Sequence, residues 1–224
     1  RAADFYRVPG TSPWRLPQCA RQEARQEYCL EVIDTEIILA SRSQRRLDLL
    51  TAAGIRCRPV AADVEEVILP DEPPEAIVCR LARLKAVAVA PQFPSDIVLG
   101  SDTIVYLEPD VMGKPRDYAE ASEFLARLSG KTHQVYTGVC LYRESPDLLD
   151  VWYACTDVTF RSLTADDVEN YLACTEPLDK AGAYGIQDQG DLIIEKICGL
   201  RSNVVGLPIE EVIEHLARYI ETDA

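Results

Sequence analysis

The segment EIILASRSQRRLDLL, residues 36–50, passes from an apolar run into a helical pattern with no linker between them. A short, continuous apolar run suits a buried strand. The stretch from Ser43 to about Ala53, stopped by Gly54, has a capping serine and the spacing of a helix. A strand that feeds a helix directly is the unit of α/β folds, in which the helix turns back to cover the sheet. The turn also concentrates charge, because Arg45 and Arg46 stand side by side at the start of the helix.

The same alternation continues along the chain. RCRPV reads as a second strand, and Pro73 and Pro74 open a helix through about Ala90, proline being tolerated in a first turn. DIVLGSDTIVYL reads as two strand-like runs around a Gly-Ser-Asp-Thr centre, and DYAEASEFLARL as a helix followed by Gly130. HQVYTGVCLYR and DVWYACTDVTFR alternate as antiparallel neighbours about the turn ESPDL. Thr164 caps the helix ADDVENYLAC, LIIEKICG is a further strand, and GLPIEEVIEHLARYI is an amphipathic closing helix. The expected architecture is α/β, with a mixed central sheet flanked by helices. Residues 1–35, with Pro9, Pro13 and Pro17 among polar clusters, are expected to form an N-terminal extension to a domain spanning 36–224.

Charge narrows the function classes. The chain carries a formal net charge of -14, which argues against a general nucleic-acid binder, since that function needs a broad basic face. A small anionic ligand stays open, because a cleft responds to its local field. Residues 36–60 hold five arginines against Glu36 and Asp48, a balance of +3, and residues 61–75 hold six acids and no base, a balance of -6. This pairing suits phosphate plus metal, although by charge alone two solvated faces are the reading to favour. No stretch of 18 apolar residues suggests a membrane span. The first thirty residues lack the apolar run of a secretory signal, so a cytoplasmic protein is expected. The eight cysteines form no C-x-x-C pair, and reduced, structural thiols are expected.

Several residues could carry chemistry. The free N–H groups and dipole of a helix start favour a phosphate, and Ser41, Ser43, Arg45 and Arg46 add hydroxyls and forked cationic donors there. Serine caps are also routine, and an arginine could simply pair with a neighbouring acid. Lys85 lies four and eight residues beyond Leu81 and Ile77, on the stripe expected to face the core, where it must snorkel outward or meet an anion. Asp102 follows the apolar run ending at Leu99; at the carboxyl end of a strand it would suit metal binding or water activation, or merely close a turn. Lys114 stands in a turn before Pro115. In DKAGAYGIQ, small residues surround Tyr184, with Lys180 before and Gln187 after, offering a stacking face and an amide edge for a base. His133 and His215 are expected to be structural or exposed. There is no Walker motif and no serine or cysteine triad.

In order, LASRSQRRLDLL, LARLKA, LGSDTIV, GKPRD, LSGKTHQVYTGVCL, DKAGAYGIQ and NVVGLP resemble the Maf family of nucleoside triphosphate pyrophosphatases from about Ile37 to Leu216. The resemblance implies a fold like that of inosine triphosphatase, with a cleft between two lobes, often in a homodimer. It implies metal-dependent release of pyrophosphate, with Mg²⁺ or Mn²⁺ near Glu66 and Asp102. Ser41, Arg45 and Arg46 match the phosphate-binding turn, and Asp102 the presumed catalytic carboxylate, as base or metal ligand. Glu66 matches an acid near the metal, and Lys85, Lys114 and Gln187 match further site positions. Ser43, Thr103 and Lys180 stand beside these as candidates for substrate contact. GSDT together with KAGAYGIQ looks like the branch acting on dTTP and UTP, with modified pyrimidine nucleotides as further substrates. The alternatives are 7-methyl-GTP, inosine or xanthosine triphosphates, or a non-catalytic nucleotide-binding regulator of cell division. Two positions depart from the pattern: Arg42 and Asp188 each stand where glycine is usual.

Overall fold

A computed structural model describes residues 36–220; the expected N-terminal extension lies outside the described residues. Seven strands form one sheet: β1 (Ile37–Leu39), β2 (Cys57–Pro59), β3 (Val98–Leu107), β4 (Asp110–Met112), β5 (Thr132–Arg143), β6 (Leu148–Phe160) and β7 (Ile194–Cys198). Their order is β2-β1-β3-β5-β6-β7, with β4 also pairing with β3. β1 runs parallel to β2 and β3, and every other pairing is antiparallel, so the sheet is mixed. The helices are α1 (Gln44–Ala52), α2 (Pro74–Val89), α3 (Tyr118–Leu128), α4 (Ala165–Ala173), α5 (Arg201–Val205) and α6 (Ile209–Ile220). The fold is the α/β architecture expected.

Local chemistry sets most boundaries. Asp117 caps α3 by accepting the Glu120 N–H, and Thr164 and Asp167 form a reciprocal capping box on α4. Pro74 opens α2 in its first turn. α1 differs from the expectation. Ser43 occupies the N-cap position, but its side chain makes no capping bond, and its N–H instead donates to Ser41 Oγ at 3.1 Å. The start of α1 is therefore not sealed by its own cap.

β3 also departs from the sequence reading. Gly100, Ser101, Asp102 and Thr103 do not break the strand but lie within one ten-residue strand, so Asp102 sits mid-strand rather than at a carboxyl end. The glycine serves close packing, not a turn. A Cβ at Gly100 would stand 2.1 Å from the Ala82 carbonyl oxygen on α2. On the next strand Gly138, the register partner of Asp102, would place a Cβ 2.2 Å from the Val78 carbonyl oxygen. Two bare backbones let α2 lie directly on the sheet.

β5 pairs with β3 from Val98 to Tyr106, so β1 and β4 must share the opposite edge. β1 pairs only at Val98 and Leu99, and β4 only from Val105 to Leu107. Residues 100–104 are left without a strand neighbour on that side. The core divides about the same point. Leu39, Leu50, Leu99, Leu141 and Leu216 fill one cluster, while Leu125, Phe160, Val168 and Tyr171 fill another around the far halves of the long strands. A cleft of about 710 Å³ opens beside the unpaired stretch of β3.

Behind the cleft, His133 is 1% exposed and its Nε2 lies 2.7 Å from the Tyr184 hydroxyl. Its ring meets Phe160 edge-on. Burial pushes its pKa down to about 4, so the imidazole is neutral. Six cysteines among the described residues are free thiols; burial pushes Cys79 and Cys155 up to about 11 and Cys140 up to about 12, as packing thiols should be. No helix among the described residues is long and apolar enough to cross a membrane.

Gly138→Ala should cost about 3 kcal/mol, the upper range for overpacking, read as a lower urea midpoint. An unchanged midpoint would mean that α2 can move off the sheet. His133 gives a pH signature. Below pH 6.5 the unfolded chain binds a proton that the folded chain refuses until about pH 4, so stability falls as pH drops through that window. The loss should be roughly 3 kcal/mol, and the His133→Phe curve should be flatter there by that amount. Parallel curves would rule out a buried neutral imidazole.

Candidate active site

The β1–α1 turn, α2, the open edge of β3 and the segment from Asp179 to Asp188 all line the cleft. Arg46 comes first because it is buried with no acid bonded to it. Its Nε donates to the Gly206 carbonyl at 2.8 Å, Nη1 to Ser41 Oγ at 3.3 Å and Nη2 to Thr103 Oγ1 at 3.0 Å. All three acceptors are neutral, so the guanidinium is fixed in place while its charge stays uncompensated by direct contact. Burial lowers its pKa, and the nearby Asp102 and Glu66 charges oppose that shift. A fixed buried cation of this kind is suited to an anion arriving from the cleft.

Lys85 does not snorkel. It is 7% exposed, and its Nζ lies 2.6 Å from Asp102 Oδ1 and 2.8 Å from Glu66 Oε1. α2 supplies the lysine, the middle of β3 supplies Asp102, and the acidic loop supplies Glu66. Burial would raise the Glu66 pKa, but the Lys85 bond and the charges of Lys114 and Arg46 hold it below the usual carboxylate range. Two carboxylates thus converge on one ammonium, leaving the trio with a net negative charge. Asp102 Oδ2 and Glu66 Oε2 take no hydrogen bond from the described residues.

The second arginine of the turn is held differently. Arg45 donates from Nη1 to Asp179 Oδ2 at 2.6 Å and from Nη2 to the Asp179 carbonyl at 3.2 Å. Lys180 is 5% exposed and surrounded by acceptors: Asp179 Oδ1 at 2.8 Å, Asp188 Oδ2 at 3.0 Å and the Glu176 carbonyl. Lys114 and Arg42 also line the cleft, and neither forms an ion pair with a described residue. Arg42 is not among the positive-φ residues, so it replaces glycine without backbone strain and adds a third arginine to the turn. Gln187 is exposed on the cleft wall, and Ser43 also lines the cleft.

Tyr184 does not present the free stacking face that the sequence suggested. It is 5% exposed, with its ring edge-on to both Phe160 and His133. Burial raises its pKa well above the ordinary value. Its role is to anchor the loop, and Gly182, at φ 68°, makes the bend in front of it with a Cβ position only 2.8 Å from Val105 Cγ2.

Every candidate read from the sequence (Ser41, Ser43, Arg45, Arg46, Glu66, Lys85, Asp102, Thr103, Lys114, Lys180 and Gln187) borders this one cleft. Asp179, the Gly206 carbonyl and the His133–Tyr184 pair were not read from the sequence as site features. Asp179 adjoins Lys180 in DKAGAYGIQ and could have been suspected from that adjacency. A carbonyl acceptor and a buried ring pair leave no sequence signal. Among the described residues no group of three or more acids, cysteines or histidines is placed to hold a metal ion; Asp102 and Glu66 converge as a pair.

Curated relatives align with nearly all of this region. One from Bacillus cereus is 46% identical over 184 residues, spanning 82% of this chain and 95% of its own. Another, from Clostridioides difficile, is 42% identical over 183 residues, spanning 82% of this chain and 94% of its own. Both bear the name dTTP/UTP pyrophosphatase. Among solved structures, the Staphylococcus aureus Ham1 protein is similar at 14% identity and a TM-score of 0.46, covering 85% of this chain and 100% of that one, too remote to bear on chemistry. The family described as Maf-like protein matches residues 36–219, and with that match and these relatives the chain belongs to the Maf family.

Proposed function

We propose that this chain hydrolyses dTTP and UTP to the nucleoside monophosphate and pyrophosphate. One observation carries the reading: a buried arginine without a bonded acid and a lysine shared by two carboxylates border the same cleft. The names of relatives at 42% and 46% identity support the substrate pair. Arg42, Arg45, Arg46 and Lys114 hold the triphosphate tail, matching its charge before reaction begins. A water oxygen attacks the α-phosphorus, the bond from that phosphorus to the α–β bridging oxygen breaks, and pyrophosphate leaves with the bridging oxygen. Asp102 takes the water proton on Oδ2, while Lys85 holds Oδ1 and aims the carboxylate. Phosphoryl transfer of this kind is mainly positioning and charge neutralisation, which these fixed cations supply. Gln187 presents its amide to the carbonyl and N–H edge of the pyrimidine.

The donor set suits a hard divalent cation. Mg²⁺ is usually held by one or two carboxylates and completes its shell with phosphate oxygens and water; Glu66 offers one, and Asp102 offers a second where it serves as ligand in place of base. Mg²⁺ or Mn²⁺ held there would add charge neutralisation and a more acidic water. A cytoplasmic homodimer belongs to the same proposal.

Asp102→Asn should lower kcat by about two orders of magnitude or more while circular dichroism stays unchanged. Near-normal turnover would remove Asp102 from the chemistry. Pyrophosphate release measured across dTTP, UTP, CTP, 7-methyl-GTP, ITP and XTP should be greatest with the first two. Chelation should abolish it, and Mg²⁺ or Mn²⁺ should restore it. Saturable binding without product from any nucleotide would leave a non-catalytic binder instead.

A further inference from the structure

Arg45 and Asp179 lie 134 residues apart in sequence yet meet through two bonds. One comes from each terminal nitrogen of the guanidinium, to the side chain and to the carbonyl of the same residue, so the plane of Arg45 is set as well as its position. A guanidinium has five N–H donors, and this clasp uses two. Nε and the second hydrogen of each terminal nitrogen find no partner among the described residues. The other carboxylate oxygen of Asp179 takes Lys180, whose ammonium also reaches Asp188. Lys180 thereby offsets the negative charge that Asp179 would otherwise turn toward an incoming phosphate.

The contact is partly exposed, with the side chain of Arg45 27% accessible and that of Asp179 59%. Ion pairs at such exposure add little to stability. Their effect lies in direction. An unheld arginine has a long, rotamer-rich side chain that must be ordered when it meets a ligand, and a held one has met that cost during folding.

We infer that Asp179 is a positioning residue, which fixes Arg45 so that its remaining donors face the polyphosphate and ties the phosphate turn to the loop bearing Gln187. The inference rests on the proposed function for the identity of the anion. Asp188, where the family pattern has glycine, belongs to the same chain of alternating charges. It gives Lys180 a second carboxylate, so Asp179 does not serve the lysine alone.

The test uses the full chain with inorganic tripolyphosphate as a base-free probe, followed by calorimetry, alongside dTTP kinetics. Asp179→Asn should weaken tripolyphosphate binding by about tenfold, the scale of ordering one arginine side chain. It should raise KM for dTTP by a similar factor, with kcat falling less and Tm little changed. Asp179→Glu should recover part of the loss. In an Arg45→Ala background, Asp179→Asn should have no further effect, a coupling that a general structural role would not produce. Tripolyphosphate affinity equal to or above that of the unaltered chain, or additive losses in the double variant, would overturn the inference. So would a fall in Tm that tracks the loss of binding, or a failure of the unaltered chain to bind the probe. If no nucleotide is turned over but the Asp179 effect on tripolyphosphate persists, the proposed function fails and the inference stands.

Discussion

The Lys85 ammonium between Asp102 and Glu66 is the contact on which the rest of the site depends. It forms because α2 lies unusually close to the sheet, and α2 lies close because Gly100 and Gly138 present no side chain beneath it. Leu81 and Ala82 pack the neighbouring turn, so the lysine cannot swing to solvent without opening that layer. Burying the charge would be costly alone. Two carboxylates repay that cost, and the same arrangement holds both acids convergent. Core packing and site electrostatics are here one structure.

The sheet explains why the cleft lies where it does. Strand partners on one edge of β3 stop at Leu99 and resume at Val105, and Asp102 sits midway across the interval. Arg46 approaches from the turn after β1, locked to the Gly206 carbonyl and to Thr103. The protein is strongly acidic overall, yet the buried Arg46 borders this opening with no acid bonded to it. A local field of that sign is compatible with any net charge, because nearby groups in a cleft act at short range while distant surface acids are screened.

Two departures from the family pattern have different consequences. Arg42 costs no backbone strain and adds a cation to the phosphate turn. Asp188 adds an acid, but its charge is taken up by Lys180, which also contacts Asp179 and lies across Gly185. The loop opposite the phosphate turn is therefore organised by charge pairing at its rim and by the buried Tyr184 and His133 behind it.

Much of this was legible in the chain itself. Apolar runs and helical spacing specified the α/β class and nearly every element, because those periods are properties of consecutive residues. The helical stripe through Ile77, Leu81 and Lys85 singled out the lysine, and the paired arginines after β1 marked the turn. Motif order identified the family and gathered the candidates. The sequence did not reveal that GSDT runs straight through a strand, since a glycine admitting a helix and a glycine making a turn are spelled alike. Nor did it assign Tyr184 to the core, Ser41 rather than Ser43 to the turn hydrogen bond, or Asp179 to Arg45. Those choices depend on which distant backbone or side chain arrives within hydrogen-bonding reach. Only tertiary packing decides that, because local propensity carries no information about separations of a hundred residues.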